Sequence, residues 1–508
     1  MIPGPGAGTA GARIVLATLN ARWSHCAFGL RYLLANLGEL QAQAAIREFT
    51  IHDQPAKIVE RLLADAPLIV GLGVYIWNRR ESESVARILK QVAPQIKLVI
   101  GGPEPTHAPV DDPLRALADV TIAGEADIAF REVCTDLLAG RPVAKLVTAA
   151  KPDPATLVLP YHLYTDQDLA HRLIYVEASR GCPFTCEFCL SSIENGVRTV
   201  PLDPFLAALD DLLARGCRTF KFVDRTFNLA PRTAIAILTF FQERWRDGLF
   251  LHFEMVPDRL PDEVKALLAW FPAGAVQLEI GIQSFTPAVG ELISRRMNRG
   301  RTEANLAWLR DHSGIHVHAD LIIGLPGETP ASFQESFDAL WHLTPGEIQV
   351  GILKLLPGTP LARHVPTFAM QFSSEPPYEL LAAQEFPFPL MQRLKRFARY
   401  FDLFANSGGF RHGLELAISH GPSPSPFAGL LAFSDWLWIT TGQDHAIAKP
   451  RLYDLLAKYL DHLGVPPATT DDALAQDAVA TGCTALPDRL HAPAERWRRN
   501  RAQGILGP

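Results

Sequence analysis

Residues 173–192 read LIYVEASRGCPFTCEFCLSS. A short apolar run is followed at once by a loop carrying Cys182, Cys186 and Cys189, three cysteines within eight positions and no fourth beside them. If the run is a parallel barrel strand, these thiols sit at its carboxyl end, where barrel chemistry is normally placed. A structural zinc site would need a fourth Cys or His at close spacing, and the sequence offers only distant candidates such as Cys217. Iron–sulfur clusters are also held by thiolates in compact loops. A cubane held by three thiolates keeps one iron open to an outside ligand.

The segments that follow support a barrel. TFKFVD, LFLHFEM, AVQLEIGIQS, HVHADLIIGL and EIQVGILKL recur with helical stretches between them. With LIYVEAS they make six strand–helix units, which predicts a partial parallel barrel. Its strands are not continuously apolar, as strands buried on both faces should be. Gln277, Glu279, Gly281 and Gln283 alternate with Val276, Leu278, Ile280 and Ile282, and His316, His318 and Asp320 alternate with Val317 and Ala319. The apolar face must meet the helices, so the polar face points into the lumen. Unpaired charges are costly to bury, so a polar lumen implies water, ligand or cofactor. An antiparallel sheet with one solvated face is the alternative, and the intervening helices argue against it.

Residues 13–140 alternate short apolar strands with helices, Phe28 to Leu40 among them, and predict a doubly wound domain that binds ligands beyond the carboxyl ends of its strands. Prolines at 142, 152, 154 and 160 mark 141–170 as a linker. The barrel is expected over 171–365 and a mainly helical domain over 366–508, whose clearest helix is LMQRLKRFARYFDLFANSGG. The opening MIPGPGAGTAGA lacks the pattern of a secretory signal, so 1–12 reads as a flexible tail. A net charge of −6 argues against a duplex nucleic-acid binder, and no apolar run is long enough to span a membrane. Seven cysteines, an odd count without a signal, fit a reducing cytoplasm better than a disulfide framework.

C-x-x-x-C-x-x-C with Phe188 before the last cysteine resembles the radical S-adenosylmethionine (radical SAM) superfamily. The resemblance spans about 172 to 360. It implies a [4Fe-4S] cluster on Cys182, Cys186 and Cys189 whose fourth iron chelates S-adenosylmethionine, reductive cleavage to a 5′-deoxyadenosyl radical, and an external electron donor of flavodoxin or ferredoxin type. FVDRTFN follows the second strand, where the family binds the amino group; the usual glycine-glycine-glutamate is absent and Asp224 stands as a substitute. EIGIQS is similar to the ribose-contacting strand and implicates Glu279, Gln283 and Ser284. LIIGLPGET resembles the adenine-contacting segment, with Gly324, Pro326 and Gly327 allowing close approach. Arg299 is a candidate for the carboxylate, or else a solvated helix charge.

The N-terminal domain resembles the cobalamin-binding domain of many superfamily members. LVIGGPEPTHAP and IAGEADIAF match its strand–loops, and imply a cobalamin seat at Gly101, Gly102, Pro103 and Glu125. D-x-H-x-x-G is absent, so cobalt is expected to lack a strong histidine ligand below; YIWNRR is the candidate for the lower corrin face, through Tyr75, Trp77 and Asn78. A flavodoxin-like domain without corrin is the plain alternative, and no G-x-G-x-x-G follows the first strand to suggest a nicotinamide. Trp23 and His25 receive no role. The C-terminal region resembles the tail domain of an uncharacterised subgroup and is expected to cap the barrel mouth.

Together these features imply a cobalamin-dependent radical enzyme acting on a small molecule, with C-methylation of an unactivated carbon as the leading expectation. Oxidation, cyclisation or rearrangement of a natural product or tetrapyrrole is the second. A cobalamin sensor or carrier is the third, but it leaves the cysteine triad and the polar lumen unexplained. A methylthiotransferase would need three further cluster cysteines in the N-terminal domain, which has only Cys26 and Cys134.

Overall fold

A computed structural model describes residues 12–193, 196–343 and 345–502; all of the expected tail except Ala12 lies outside them. The first domain is a six-stranded, wholly parallel sheet. Its strands are β1 (Ile14–Asn20), β2 (Ala44–Thr50), β3 (Ile69–Gly73), β4 (Lys97–Gly101), β5 (Val120–Ala123) and β6 (Leu146–Thr148), in the order β2-β1-β3-β4-β5-β6. Every residue of β1 is buried, as a strand covered on both faces should be. Val15, Ala17 and Leu19 enter one core, and Ile14 and Leu16 the other.

Two boundaries differ from the sequence reading. The expected linker 141–170 contributes β6 to the sheet and a helix, Asp166–His171, capped by Thr165 and Asp168. With three residues in all, β6 carries too little periodicity to be read. The first helix stops at Ala35 rather than Leu40, because the Asn36 side chain turns away to bond both polar groups of the Val158 backbone. Gly38, with φ +59°, then opens a short 3-10 turn.

The second domain has six parallel strands: β7 (Ile174–Val176), β10 (Thr219–Phe222), β11 (Phe250–Met255), β12 (Val276–Gln283), β13 (His316–Ile323) and β14 (Glu347–Ile352). Between the first two lies a small antiparallel hairpin, β8 (Ser179–Cys182) and β9 (Gly196–Thr199). The strand order β14-β13-β12-β11-β10-β7 is the open partial barrel that was expected. In β12 and β13 alternate residues are fully buried, and the apolar ones are those predicted to meet the helices.

The two domains are clamped together. Arg31 bonds Glu48 and Asp168 at 2.8 Å each, and Arg172 bonds the same two acids at 2.7 and 2.9 Å, a closed ring of alternating charge. Leu173 N donates to Ser24 O at 2.9 Å, so the strand carrying the cysteine loop begins against the first domain. Trp23 and His25 belong to this joint: their carbonyls accept from Arg172, and His25 Nδ1 lies 2.5 Å from the Tyr175 hydroxyl. Removing one partner from such a buried ion set costs about 3–5 kcal/mol.

The third region carries six helices, Phe388–Phe401, Arg411–Ser419, Pro426–Thr441, Lys449–His462, Pro467–Ala480 and Asp488–Ala502, after a hairpin of β15 (Gln371–Phe372) and β16 (Leu380–Ala382). The expectation that this region caps the barrel mouth is corrected for its helices; its hairpin does reach that end, where Leu380 packs on Gly324 just past β13. The helices pack against the helix Pro330–Leu343 and the edge strand β14. Asn406 bonds both the N–H and the C=O of Ile348, occupying edge groups that would otherwise offer a pairing template. The segment between β14 and the first of these helices is the one that crosses to the N-terminal domain. Tyr378 donates to Glu104 at 2.7 Å, and Gly358 has no room for a Cβ because the His107 ring lies against it.

Candidate active site

The cysteine loop leaves β8 at Cys182 and turns at Cys186–Cys189, where Cys189 N donates to Cys186 O at 3.0 Å. All three thiols are free and line one cavity of about 160 Å³ at the carboxyl end of the barrel, together with Phe188. The cavity's lining holds these three thiols and, among the described residues, no fourth Cys and no His. A structural zinc closes with four such ligands, whereas a cubane can be held by three thiolates, so the donor set fits a cluster better than zinc. Burial, and the neighbouring Cys186 and Cys189, push the Cys182 thiol up.

Glu187, between two of the cysteines, anchors the loop. Only 3% exposed, it accepts from Ser294 Oγ at 2.6 Å and His364 Nε2 at 2.8 Å, and from Arg363. Arg295 places Nη1 3.5 Å from Cys186 Sγ and donates to Gly281 O.

The rest of the cavity is polar and incompletely satisfied. Gln283 Oε1 and Arg295 Nε are buried without a hydrogen-bond partner, Asp320 Oδ1 has only the His318 Nε2 contact at 3.4 Å, and the residues of all three atoms line it. Buried polar atoms normally have partners, so these are free to meet a polar ligand. His252 Nε2 lies 3.3 Å from Glu279 Oε2 and, with Lys221 and His318, holds the Glu279 carboxyl down to about 2. Burial, with the charges of Glu279 and Glu254, pushes Asp320 up to about 8. Side by side, the strands thus present one ionised and one protonated carboxyl.

A second cavity, of about 510 Å³, lies between the carboxyl ends of β3, β4 and β5 and the start of the barrel. Its wall on the sheet side is largely backbone: Gly73, Gly101, Gly102 and Gly124. Gly102 adopts φ 109° and ψ 177°, a region open to glycine almost alone. Arg180 crosses from the barrel to bond Glu125 and Asp127 at 3.0 and 2.9 Å. Ser191 and Arg225 line both cavities, which therefore lie side by side.

The structure gathers some of the expected residues and sets others apart. Cys182, Cys186, Cys189, Phe188, Glu279 and Gln283 meet at the smaller cavity, and Tyr75, Gly101, Gly102, Pro103 and Glu125 at the larger. Trp77 stacks on Tyr75 at 4.4 Å but is 46% exposed outside the cavity. Asn78 is fully buried, its amide bonded to Thr18, Leu19 and Gly73, so it pins the loop instead of facing a corrin. Asp224 turns inward to accept from Ala178 N and Ser179 Oγ, burial pushes it up to about 7, and its neighbour Arg225 takes the cavity position. Ser284 bonds Glu328 and Thr286 N. Gly324 is needed because Leu380 of β16 packs on it, and Pro326 is buried; neither lines the cavity. Arg299 pairs with Glu303 at 2.7 Å. Sequence reasoning missed Arg225, Arg295, His107 and Arg180, whereas the alternation in LFLHFEM had set Glu254 on the polar face that points into the lumen.

The comparisons agree with this division. The radical SAM superfamily matches residues 176–340, the B12 binding domain 13–134, and a family described as Protein of unknown function (DUF4080) 366–502. The 2-(S-pantetheinyl)-carbapenam-3-carboxylate methyltransferase of Streptantibioticus cattleyicolor is 25% identical over 327 residues, which are 58% of this chain and 48% of that protein. This chain thus spans about half the length of that relative. In fold it is similar to the cobalamin-dependent S-adenosylmethionine radical enzyme OxsB, with a TM-score of 0.64 and 14% identity over 96% of this chain and 84% of that one. It is also similar to the radical S-adenosylmethionine methyltransferase TsrM of Kitasatospora setae, with a TM-score of 0.57 and 15% identity over 97% and 100% of the two chains. The chain thus joins a B12-binding domain to a radical SAM domain, with a third helical region after them.

Proposed function

We propose that the chain is a cobalamin-dependent radical SAM enzyme that methylates an unactivated carbon of a small molecule in the cytoplasm, drawing electrons from an external donor. One observation carries the reading: the cavity at the ends of β3–β5 lies directly against the cavity lined by the three thiols, with Ser191 and Arg225 in the wall of both. A methyl carrier and a radical source need one shared, water-poor chamber, because solvent competes with reactive species. A sensor or carrier has no use for the second cavity.

Cys182, Cys186 and Cys189 would hold the cluster, and the larger cavity would hold cobalamin against Tyr75, Gly101, Gly102, Pro103 and Glu125. When bound, cluster and S-adenosylmethionine supply a carbon-centred radical and cobalamin supplies the methyl group. The protein's share is position and exclusion. Glu279, ionised, and Asp320, protonated at neutral pH, offer an acceptor and a donor beside the unpartnered Gln283 Oε1 and Arg295 Nε. Arg225, ion-paired to Glu254 at 3.2 Å, stands where the chambers join. The segment between β14 and β16 packs behind this lining, Gly358 against His107 and Tyr378 on Glu104.

The test is oxygen-free purification from cobalamin-supplied cells, with cobalt, iron and sulfide counted per chain, then incubation with S-adenosylmethionine, reductant and candidate substrates. Methylated product with both 5′-deoxyadenosine and S-adenosylhomocysteine is expected. Product with 5′-deoxyadenosine alone would replace methylation by oxidation, cyclisation or rearrangement. A colourless protein without iron would end the radical reading.

A further inference from the structure

Resting on the radical reading above, we propose that an arginine-rich face beside the cysteine loop docks an acidic one-electron carrier protein. Each cleavage of the sulfonium consumes one electron: the carrier is oxidised by one electron, the C5′–S bond breaks, methionine leaves, and the 5′ carbon ends as 5′-deoxyadenosine by taking hydrogen from substrate. The other cysteines, Cys26, Cys134, Cys217 and Cys483, are buried and offer the electron no way in. The surface beside the three thiols gives it the short route.

The charge lies there. Arg259 and Arg301 line one surface depression of about 510 Å³ with Asn228, Pro231 and Asp258. Arg232 follows Pro231 at the start of the helix Pro231–Glu243. Asp258 also lines the thiol cavity, where Arg296 joins it, so the depression and the cluster site share a wall. Nearby Arg225 and Arg299 are neutralised by Glu254 and Glu303. By contrast Arg232, Arg259, Arg296 and Arg301 are exposed, and among the described residues none makes an ion pair. Asp258, in the wall of the depression, accepts from Asn298 N at 2.9 Å, and Asp262, in the next helix beside Glu263, lies 3.8 Å from Lys265.

Four unpaired guanidinium groups on one side of a chain of net charge −6 form a local field of the opposite sign. Such a field steers an oppositely charged partner and fixes its orientation, and the planar fork of arginine matches carboxylates. Redox encounters use small interfaces held this way, below about 1,200 Å². A nucleic acid fits less well, since the surrounding chain is acidic.

The test uses the cluster-loaded holoenzyme and the triple variant R232E/R259E/R301E, with R232Q/R259Q/R301Q as the neutral control. 5′-Deoxyadenosine formation is followed with reduced flavodoxin, an acidic carrier, and separately with reduced methyl viologen, a small cation that needs no docking. The charge-reversed variant should need on the order of tenfold more flavodoxin for half-maximal rate, the neutral variant less than that, and neither should be slower with methyl viologen. The wild-type rate with flavodoxin should fall as salt rises. Equal flavodoxin dependence in variant and wild type would overturn the docking surface. So would a parallel loss with both reductants, which would assign the arginines to substrate or folding. If the wild type forms no 5′-deoxyadenosine even with methyl viologen, the radical reading fails, and the surface with it.

Discussion

Two adjacent glycines at the floor of the larger cavity should respond oppositely to alanine. Gly102 holds φ 109° and ψ 177°; a non-glycine residue pays about 1–3 kcal/mol there. A Cβ at Gly102 would also press into the Val74 carbonyl oxygen and stand 3.1 Å from Val74 N, and overpacking of this kind costs about 1–3 kcal/mol. With partial relaxation at the end of β3, G102A should lose about 2–4 kcal/mol. At about 3 °C per kcal/mol for a domain of this size, its first thermal transition falls by roughly 6–12 °C. At Gly101 a Cβ meets nothing closer than Ile122 O at 3.6 Å, and φ is ordinary. G101A should therefore melt like the wild type, or gain up to about 0.5 kcal/mol as Gly→Ala in a strand can, while its methyl intrudes on the wall of the cavity. Calorimetry of cobalamin-free protein reads the first effect, and cobalamin absorbance per chain after gel filtration reads the second. G102A melting within roughly 2 °C of the wild type would refute the backbone argument. G101A retaining full cobalamin would refute the seat.

Replacing Cys189 by alanine should remove iron and visible absorbance, counted after oxygen-free reconstitution, and leave cobalamin uptake intact. Asp320, raised to about 8 in the folded chain against an ordinary 3.8, keeps a proton that the unfolded chain has lost between those values; stability should therefore fall as pH rises from 4 to 8. D320N removes that slope, so urea midpoints of the two proteins should diverge in the variant's favour toward pH 8. Truncating Glu187 to alanine strands Ser294, His364 and Arg363 around a buried gap, a loss of about 3–5 kcal/mol. Limited proteolysis should then cut within 183–192 faster, and iron retention should fall.

The architecture was legible because parallel sheets impose periods that sequence carries directly. Alternation in β12 and β13 assigned the lumen face, and both matched the observed burial. Legibility ended where strands ended. Asp224 and Arg225 are neighbours just past β10, and a one-residue change of parity exchanges inside for outside; only three-dimensional packing decides that the carboxylate turns back to Ala178 while the guanidinium faces the cavity. Asn78 failed for the same reason, since its amide serves three backbone and hydroxyl oxygens from other strands. Gly324 was read as clearance for a ligand, and the clearance is for Leu380, about 50 residues away in sequence. Glu187 carried no signal at all: its partners Ser294 and His364 are distant in sequence, and nothing in CEFC distinguishes a buried anchor from a solvated acid.

The same long-range contacts reassign the work of the C-terminal third. The helices brace β14, where Asn406 occupies the Ile348 backbone. The crossing segment between β14 and β16 touches three places in turn. His364 and Arg363 hold Glu187 in the cysteine loop, Gly358 abuts His107 of the larger cavity's wall, and Tyr378 bonds Glu104 just beyond Pro103. One stretch of chain is thus fastened to the thiol loop and to the sheet domain's β4 loop. A movement of that stretch should be felt at both attachments together, whereas the surrounding helices should tolerate exchange as long as β14 keeps its partner.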